Sequence, residues 1–309
     1  MKKKVSVIMI TYNHERFIKK AIDSVLMQKV NFSYELIIAD DCSPDNTQDI
    51  IREYMKSNDN IVPILRKKNI GISLNVLDAI EHATGEYIAF LEGDDYWIGE
   101  NKLQKQIDFL DNNREYVSIS AESTVVNQYD EVTDEKAWRF TIDENEYKIS
   151  NLEKLQLPGQ MSTMVMKNYK ADIKEAVNKV KKCRFCPLDT VLPLLLLSKG
   201  KMYVMKEILS AYRHFVEENG TSWSSNNDLN RTNNFIFFFL IIKDVERCGR
   251  ILGYSLNFLD EKVKYYNMAY DAIKKYHSEK AILMCLAMFV LEKHRIKLLR
   301  AARDRRRRL

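Results

Sequence analysis

The chain has no apolar run long enough to cross a membrane. Its longest, Phe235–Ile242 and Ala281–Leu291, fall short of the roughly 20 residues a spanning helix requires. A secretory leader is not expected either. MKKKVSVIMITYN has a basic start, but its apolar stretch is too short and no small-residue cleavage site follows. Cysteine is sparse, five in 309 residues without regular spacing, which fits a reducing cytosol rather than a disulfide scaffold. Cys183 and Cys186 are the only close pair. With no second pair and no His at ligand spacing, they read as ordinary thiols beside a turn at Pro187, not a zinc site. Neither G-x-G-x-x-G nor G-x-x-x-x-G-K-[ST] occurs, which argues against NAD and P-loop chemistry.

What is present is a regular alternation. Val5–Ile10, Tyr34–Ala39, Ile61–Leu65 and Tyr87–Leu91 are short apolar runs without polar alternation, as in strands buried on both faces. Between them lie amphipathic helices, the first with Phe17, Ile18, Ala21, Ile22, Val25 and Leu26 at helical spacing. Ser43 is placed to cap the second, with Pro44 at its first position. Asn69-Ile70-Gly71 turns the chain into the third, and Gly85 stops it. Four strands alternating with three helices predict an α/β fold with a mostly parallel central sheet and flanking helices. Each strand but the third ends in a polar cluster: Thr11–Asn13, Asp40–Asp45 and Glu92–Asp95. In such sheets, ligands bind past the carboxyl ends of the strands. Three clusters on one edge therefore predict a site for a nucleotide or phosphorylated ligand, with Thr11, Tyr12, Asn13, Asp41, Asn69 and Asp95 around it.

Glu92-Gly93-Asp94-Asp95 places three carboxylates within four residues. They repel one another unless exposed to water or held by a cation, and Gly93 allows a sharp turn. Hard oxygen ligands there suit Mn²⁺ or Mg²⁺, which share their shell with substrate phosphates. An ordinary acidic turn is the alternative.

VSVIMITYN, then ADDCSPDNT, then NIGISLNVLDAIEHATGEYIAFLEGDDYW resembles the N-terminal half of family 2 glycosyltransferases of GT-A fold. With KLQKQ after GDDYW, the likeness is nearer to bacterial members that build surface polysaccharide. It covers residues 4–225. The resemblance implies that Asp41 recognises uracil, where a carboxylate accepts the ring N–H that cytosine lacks. It implies that Tyr12 lies against the base, though a surface tyrosine in a turn is the other reading. It assigns Glu92-x-Asp94 to the metal motif. Glu92 departs from the usual Asp, so Asp94 is the firmer ligand. Asp189 matches the catalytic base, whereas residue type alone favours a helix N-cap. Relatives read Tyr-Arg-x-His where this chain has Tyr212-Arg213-His214-Phe215. His214 is thus a candidate ligand displaced by one position, onto the other face of a strand.

Beyond Leu110, strands are expected at Tyr116–Val126, Met161–Met166, Met202–Met205 and Ile208–His214, with a mobile loop over Asn127–Glu146. An apolar helix is expected at Val191–Leu197. A catalytic domain of residues 1–225 and a C-terminal helical extension of 226–309 follow. The extension holds an apolar segment at Phe235–Ile242 and helices at Glu261–Lys275 and Ser278–Arg303. Its end, Glu292 to Leu309, has nine Lys or Arg against two acids. A frayed tail and attachment to an anionic membrane surface are both open. Nucleic acid is not expected as a partner, since no RNA motif accompanies the charge.

The expected activity is metal-dependent transfer of a sugar from a nucleotide sugar, UDP-linked, to a hydroxyl of a glycan or lipid-linked acceptor. The resemblance implies inversion, while the cysteine usage fits a cytoplasmic enzyme and the basic C-terminus allows a peripheral place on the inner face of the membrane. Two rivals are weighed. A sugar-nucleotide pyrophosphorylase requires a Gly-rich loop after the first strand, where this chain has Thr11-Tyr12-Asn13-His14-Glu15-Arg16. A non-catalytic protein of the same fold has no need of Asp41, Asp94 and Asp189 together.

Overall fold

The four apolar runs become a parallel sheet: β1 (Val5–Thr11), β2 (Tyr34–Asp40), β3 (Ile61–Leu65) and β4 (Tyr87–Glu92). In this computed structural model the described residues are 3–134, 142–180, 188–215 and 234–276, with positions 288, 298, 301, 302 and 305 beyond them. The strand order is β3-β2-β1-β4. The helices α1 (Ile18–Leu26) and α2 (Thr47–Met55) step outward, and α3 (Ile72–His82) carries the chain back to the far side of β1. Alternate residues of β1 feed opposite layers. Val7 and Met9 pack with Ile18, Ile22 and Val25 of α1, while Ile8 packs with Val76, Ala79 and Ile80 of α3. Continuous apolar strands are explained by these two covered faces. Strand order reverses between β1 and β4, so Thr11 and Glu92 meet at the switch point.

Past β4 the sheet is mixed. β5 is Tyr96–Trp97, β6 Tyr116–Val126, β7 Glu146–Tyr147, β8 Val165–Lys167 and β9 Lys201–Arg213. β8 is antiparallel to both β4 and β6, and β6 is parallel to β9. Thus β6 runs in the direction of β4 and ends on the same edge. The two strands expected at Met202–Met205 and Ile208–His214 are one. Lys206 and Glu207 sit in a bulge, which the register break between Ala121 and Glu122 accommodates. The strand expected at Met161–Met166 is a 3₁₀ turn, Met161–Thr163, followed by β8. Pro44 is not the first residue of α2. That helix starts at Thr47 after Asn46, and Ser43 does not cap it, since its hydroxyl is taken by Asn13 N and Asp40; Asp45 accepts from the Thr47 N–H and hydroxyl.

The remaining helices are α4 (Lys102–Asn112), α5 (Ile149–Leu152), α6 (Lys170–Val180), α7 (Leu188–Lys199), α8 (Asn234–Ile251) and α9 (Leu259–Tyr276). α8 packs on α6 and α7, with Cys248 buried among Ala176, Val180 and Val191. Tyr254 donates to the Leu194 carbonyl at 2.9 Å. Phe239 and Ile242 are buried, as the apolar run there predicts. Cys183, Cys186, most of Ser278–Arg303 and the arginine run fall outside the described residues, apart from Arg305. No helix among the described residues is long and apolar enough to cross a membrane.

The buried stripe of α4 contains a lysine. Lys102 is 1% exposed, donates to Gln106 Oε1 at 2.8 Å and lies 4.1 Å from the Trp97 ring centre. Burial pushes its ammonium well below the ordinary lysine value of 10.5. The folded chain thus binds fewer protons than the unfolded chain between that lowered value and 10.5, so this group makes stability rise with pH there. Lys102→Met removes the dependence. The urea midpoint of the variant relative to the wild type should therefore be highest near neutrality and fall as pH rises toward 10.5. Parallel pH profiles for the two proteins would refute it.

Candidate active site

The loops after β1 and β2 are knitted together before any ligand arrives. Asn13 (φ 60°) and Cys42 (φ 65°) take left-handed backbone, which lets both loops fold back. Asp41 N donates to the Thr11 carbonyl at 3.0 Å, and Asn13 N to Ser43 Oγ at 2.9 Å. His14 N donates to Thr47 Oγ1, Glu15 N to Asp45, and Asn46 N to Glu15. Burial would raise the Asp45 carboxyl, but the Thr47 hydroxyl and the Glu15 and Thr47 N–H groups outweigh it and hold the group below its usual range. Asp40 is fully buried, accepting from Ser43 N, the Ser43 hydroxyl and Gln48. It is a framework residue.

Asp41 faces the third loop. Its two oxygens accept from Ile70 N and Gly71 N, each at 2.8 Å, and Arg66 Nε lies 3.9 Å away. Asn69 shares the Gly71 N–H at 3.0 Å. Gly71 has φ 86°, a conformation in which a side chain is strained. Asp41 thus fixes the entry to α3, and each oxygen retains a lone pair. Tyr12 is 45% exposed beside this loop cluster.

The acid turn closes the group. Gly93 is needed for room and not for a special turn, since its φ is not left-handed. A Cβ there would stand 2.6 Å from Thr11 Oγ1. Glu92 accepts from Gln160, yet its Oε2 is enclosed without a partner. Burial first, then the Asp94 charge and more weakly that of Asp189, push Glu92 up to about 8. Asp95 accepts from Arg213 N at 2.8 Å, and its Oδ2 is likewise enclosed and unpartnered. Burial, then Asp94 and Glu92, push it well above the usual carboxylate range. Asp94 Oδ2 is 3.8 Å from His14 Nε2. Two enclosed carboxylate oxygens lacking donors, beside a third carboxylate, fit a cation. Among the described residues, no three His, Cys, Asp or Glu are arranged to hold a metal ion by themselves. Glu92, Asp94 and His214 are therefore not brought together as a ligand set. Such a site suits an ion that completes its shell with water and phosphate oxygens.

Asp189 sits in the first turn of α7, accepting from Thr190 Oγ1 at 3.2 Å, and its charge reaches Glu92. Four residues on, Pro193 has no N–H to give the Asp189 carbonyl. His214 N donates to the Val126 carbonyl, and Phe215 packs edge-on against Phe17, with ring centres 5.5 Å apart. At the position where the resemblance leads one to expect His, this chain thus has an aromatic contact.

Three residues near the acids escaped sequence reasoning. Arg213, 2% exposed, donates to the carbonyls of Asp94 (2.8 Å) and Asn127 (2.7 Å) and to Asp130 (2.5 Å), with its guanidinium 4.4 Å from the Phe17 ring centre. The signal available was an arginine at the end of an apolar strand. Gln160 is held by Ser162 N at its Oε1, and the turn behind it is pinned where Trp97 Nε1 and Gln106 Nε2 donate to the Ser162 and Thr163 carbonyls. His14, beside Tyr12-Asn13, gave no sequence signal of its own.

Residues 6–181 match the Glycosyl transferase family 2 profile, more than half of the chain. The chain belongs to this family. A putative teichuronic acid biosynthesis glycosyltransferase, TuaG of Bacillus subtilis, is 41% identical over 106 residues, 34% of this chain and 41% of that protein. An uncharacterized Mycobacterium tuberculosis protein, Rv1520, is 45% identical over 112 residues, 36% of this chain and 32% of its own. The chain thus spans only about a third to two fifths of these relatives. Among solved structures, S. aureus TarS 1-349 in complex with UDP-GlcNAc superposes with a TM-score of 0.62 at 17% identity, covering 93% of this chain and 79% of that one. Mannosyltransferase PcManGT from Pyrobaculum calidifontis, in complex with GDP-Man and Mn²⁺, gives 0.54 at 14%, covering 98% and 86%. These likenesses establish the α/β fold of GT-A type expected from the sequence.

Proposed function

We propose that this family 2 glycosyltransferase moves a sugar from a UDP-sugar to a hydroxyl of a glycan or lipid-linked acceptor in surface polysaccharide assembly, with inversion. The observation that carries the reading is the acid turn at the switch point, with the enclosed oxygens of Glu92 and Asp95 beside Asp94. Relatives named for teichuronic acid synthesis and for poly(ribitol-phosphate) glucosyl transfer support the polysaccharide class. Structural neighbours with UDP-GlcNAc or with GDP-Man and Mn²⁺ support the donor class.

In this reading Tyr12 lies against the base, Asp41 accepts the uracil N–H on its remaining lone pairs, and Thr11, Asn13, Asn69 and Asp95 frame the nucleotide. Asp94, with Glu92, would hold Mn²⁺ or Mg²⁺, which neutralises charge gathering on a leaving diphosphate. His214 is a further candidate ligand of that ion. Asp189 takes the proton of the acceptor hydroxyl as the new bond forms on the opposite side of the sugar. Residues 1–225 form the catalytic unit and 226–309 a helical extension.

The test is a screen of nucleotide-sugar hydrolysis and binding with Mn²⁺ present. A saturable preference for one UDP-sugar is expected. UDP should bind better than CDP, and Asp41→Ala should erase most of the difference. Because Asp41 also holds the Ile70–Gly71 turn, the variant's melting temperature belongs beside its isotherm. Equal affinity of the wild type for UDP and CDP would overturn the assignment.

A further inference from the structure

The loop from β3 into α3 ends in a tip that the fold leaves in water. Lys67, Lys68, Ile72, Ser73 and Leu74 are exposed, Ile72 by 66% and Leu74 by 57%. The buried stripe of α3 starts only at Asn75 and Val76. The tip belongs to the ligand-binding edge of the sheet, since Gly71 N is bonded to Asp41. Its charge is of one sign. Arg66 is spent on Asn75 and Asp78, and no acid stands between Lys67 and Asp78.

Two lysines beside two bulky apolar side chains match the chemistry of an interfacial contact. The apolar groups enter the boundary between headgroups and acyl chains, and the ammonium groups meet anionic headgroups. A second copy of the chain fits poorly. A two-fold contact sets the same patch against itself, and here lysines would face lysines. The hairpin after β6, on the same edge, is a natural contrast. It exposes Tyr129 (62%) and Val132 (72%), but among Asp130, Glu131 and Asp134.

We infer that the Lys67–Leu74 tip docks on an anionic membrane surface.

The full chain is sedimented with phosphatidylcholine vesicles with and without phosphatidylglycerol, at low and high salt. Binding to the anionic vesicles at low salt is expected, and salt should release it. Lys67→Gln with Lys68→Gln, and separately Ile72→Ser with Leu74→Ser, should each lower the partition coefficient by about tenfold or more. Val132→Ser should not change it. All substituted positions are exposed, and equal melting temperatures confirm that the variants remain folded. UDP affinity, read by calorimetry, should be unaltered. Wild-type partition retained by both double variants would overturn the inference, and the basic C-terminus would then be the anchor. Loss of UDP affinity in step with vesicle binding would also overturn it, assigning Lys67, Lys68, Ile72 and Leu74 to the nucleotide pocket beside Asn69.

Discussion

Asp189→Asn is expected to lower turnover by about 10²–10⁴, the range usual for losing a general base, with UDP affinity and melting temperature unchanged. A sugar hydroxyl is a poor nucleophile at neutral pH, so a group must take its proton in the transition state. The acids at Asp41 and Glu92–Asp95 are committed to the α3 entry and the acid turn. Asp189 comes from another part of the chain and is close enough for Glu92 to feel its charge. The N-cap reading does not hold, since Asp189 is the second residue of α7; there Asn keeps the side chain's shape and loses only the charge's interaction with the helix dipole, about 0.3–1 kcal/mol. Leu192, Leu194 and Leu196 are fully buried, so α7 is held by packing and not by its first turn. Near-normal turnover would make Asp189 a first-turn charge that serves the helix and not a base. Glu207 is a poor replacement, since it pairs with Lys105 at the β9 bulge.

Asp94→Asn should abolish transfer and remove most of the Mn²⁺ dependence of UDP binding. The loss should exceed the roughly 10–100-fold that follows when only a supporting partner of a ligand is removed. Glu92→Gln should cost less. With its carboxyl pushed up to about 8, Glu92 in the cation-free protein is largely protonated at neutral pH, and glutamine approximates that form. Calorimetry of UDP with and without Mn²⁺, on both variants, decides between them. Metal-dependent binding that survives in the Asp94 variant would sink the assignment.

The sheet's first half was legible because its strands are buried on both faces and so contain little but Val, Ile, Leu, Ala, Met and Phe. The helix between each pair shows a clean apolar stripe. Polar residues then fall only where strands end, which located Thr11, Asp41 and the acid turn. The second half was less legible. β9 has exposed positions at Lys206–Ile208, which read as a break between two strands. The 3₁₀ turn at Met161–Thr163 has the composition of a strand and is set by long-range bonds from Trp97 and Gln106. The reason for Gly93 lay in Thr11, and the position of Arg213 in residues more than 80 places away along the chain. Local pattern carries no trace of such partners.

The tie between Arg213 and the acid turn has a kinetic side. Asp95 accepts from Arg213 N across 118 residues of chain, whereas β1 to β4 are joined by consecutive short crossovers. During synthesis β1 to β4 emerge before β9, so the bonds from Arg213 to the Asp95 carboxylate and to the Asp94 carbonyl form only once β9 is made. A chain released from the ribosome before β9 emerges lacks both. The strand made last thus completes the acid turn.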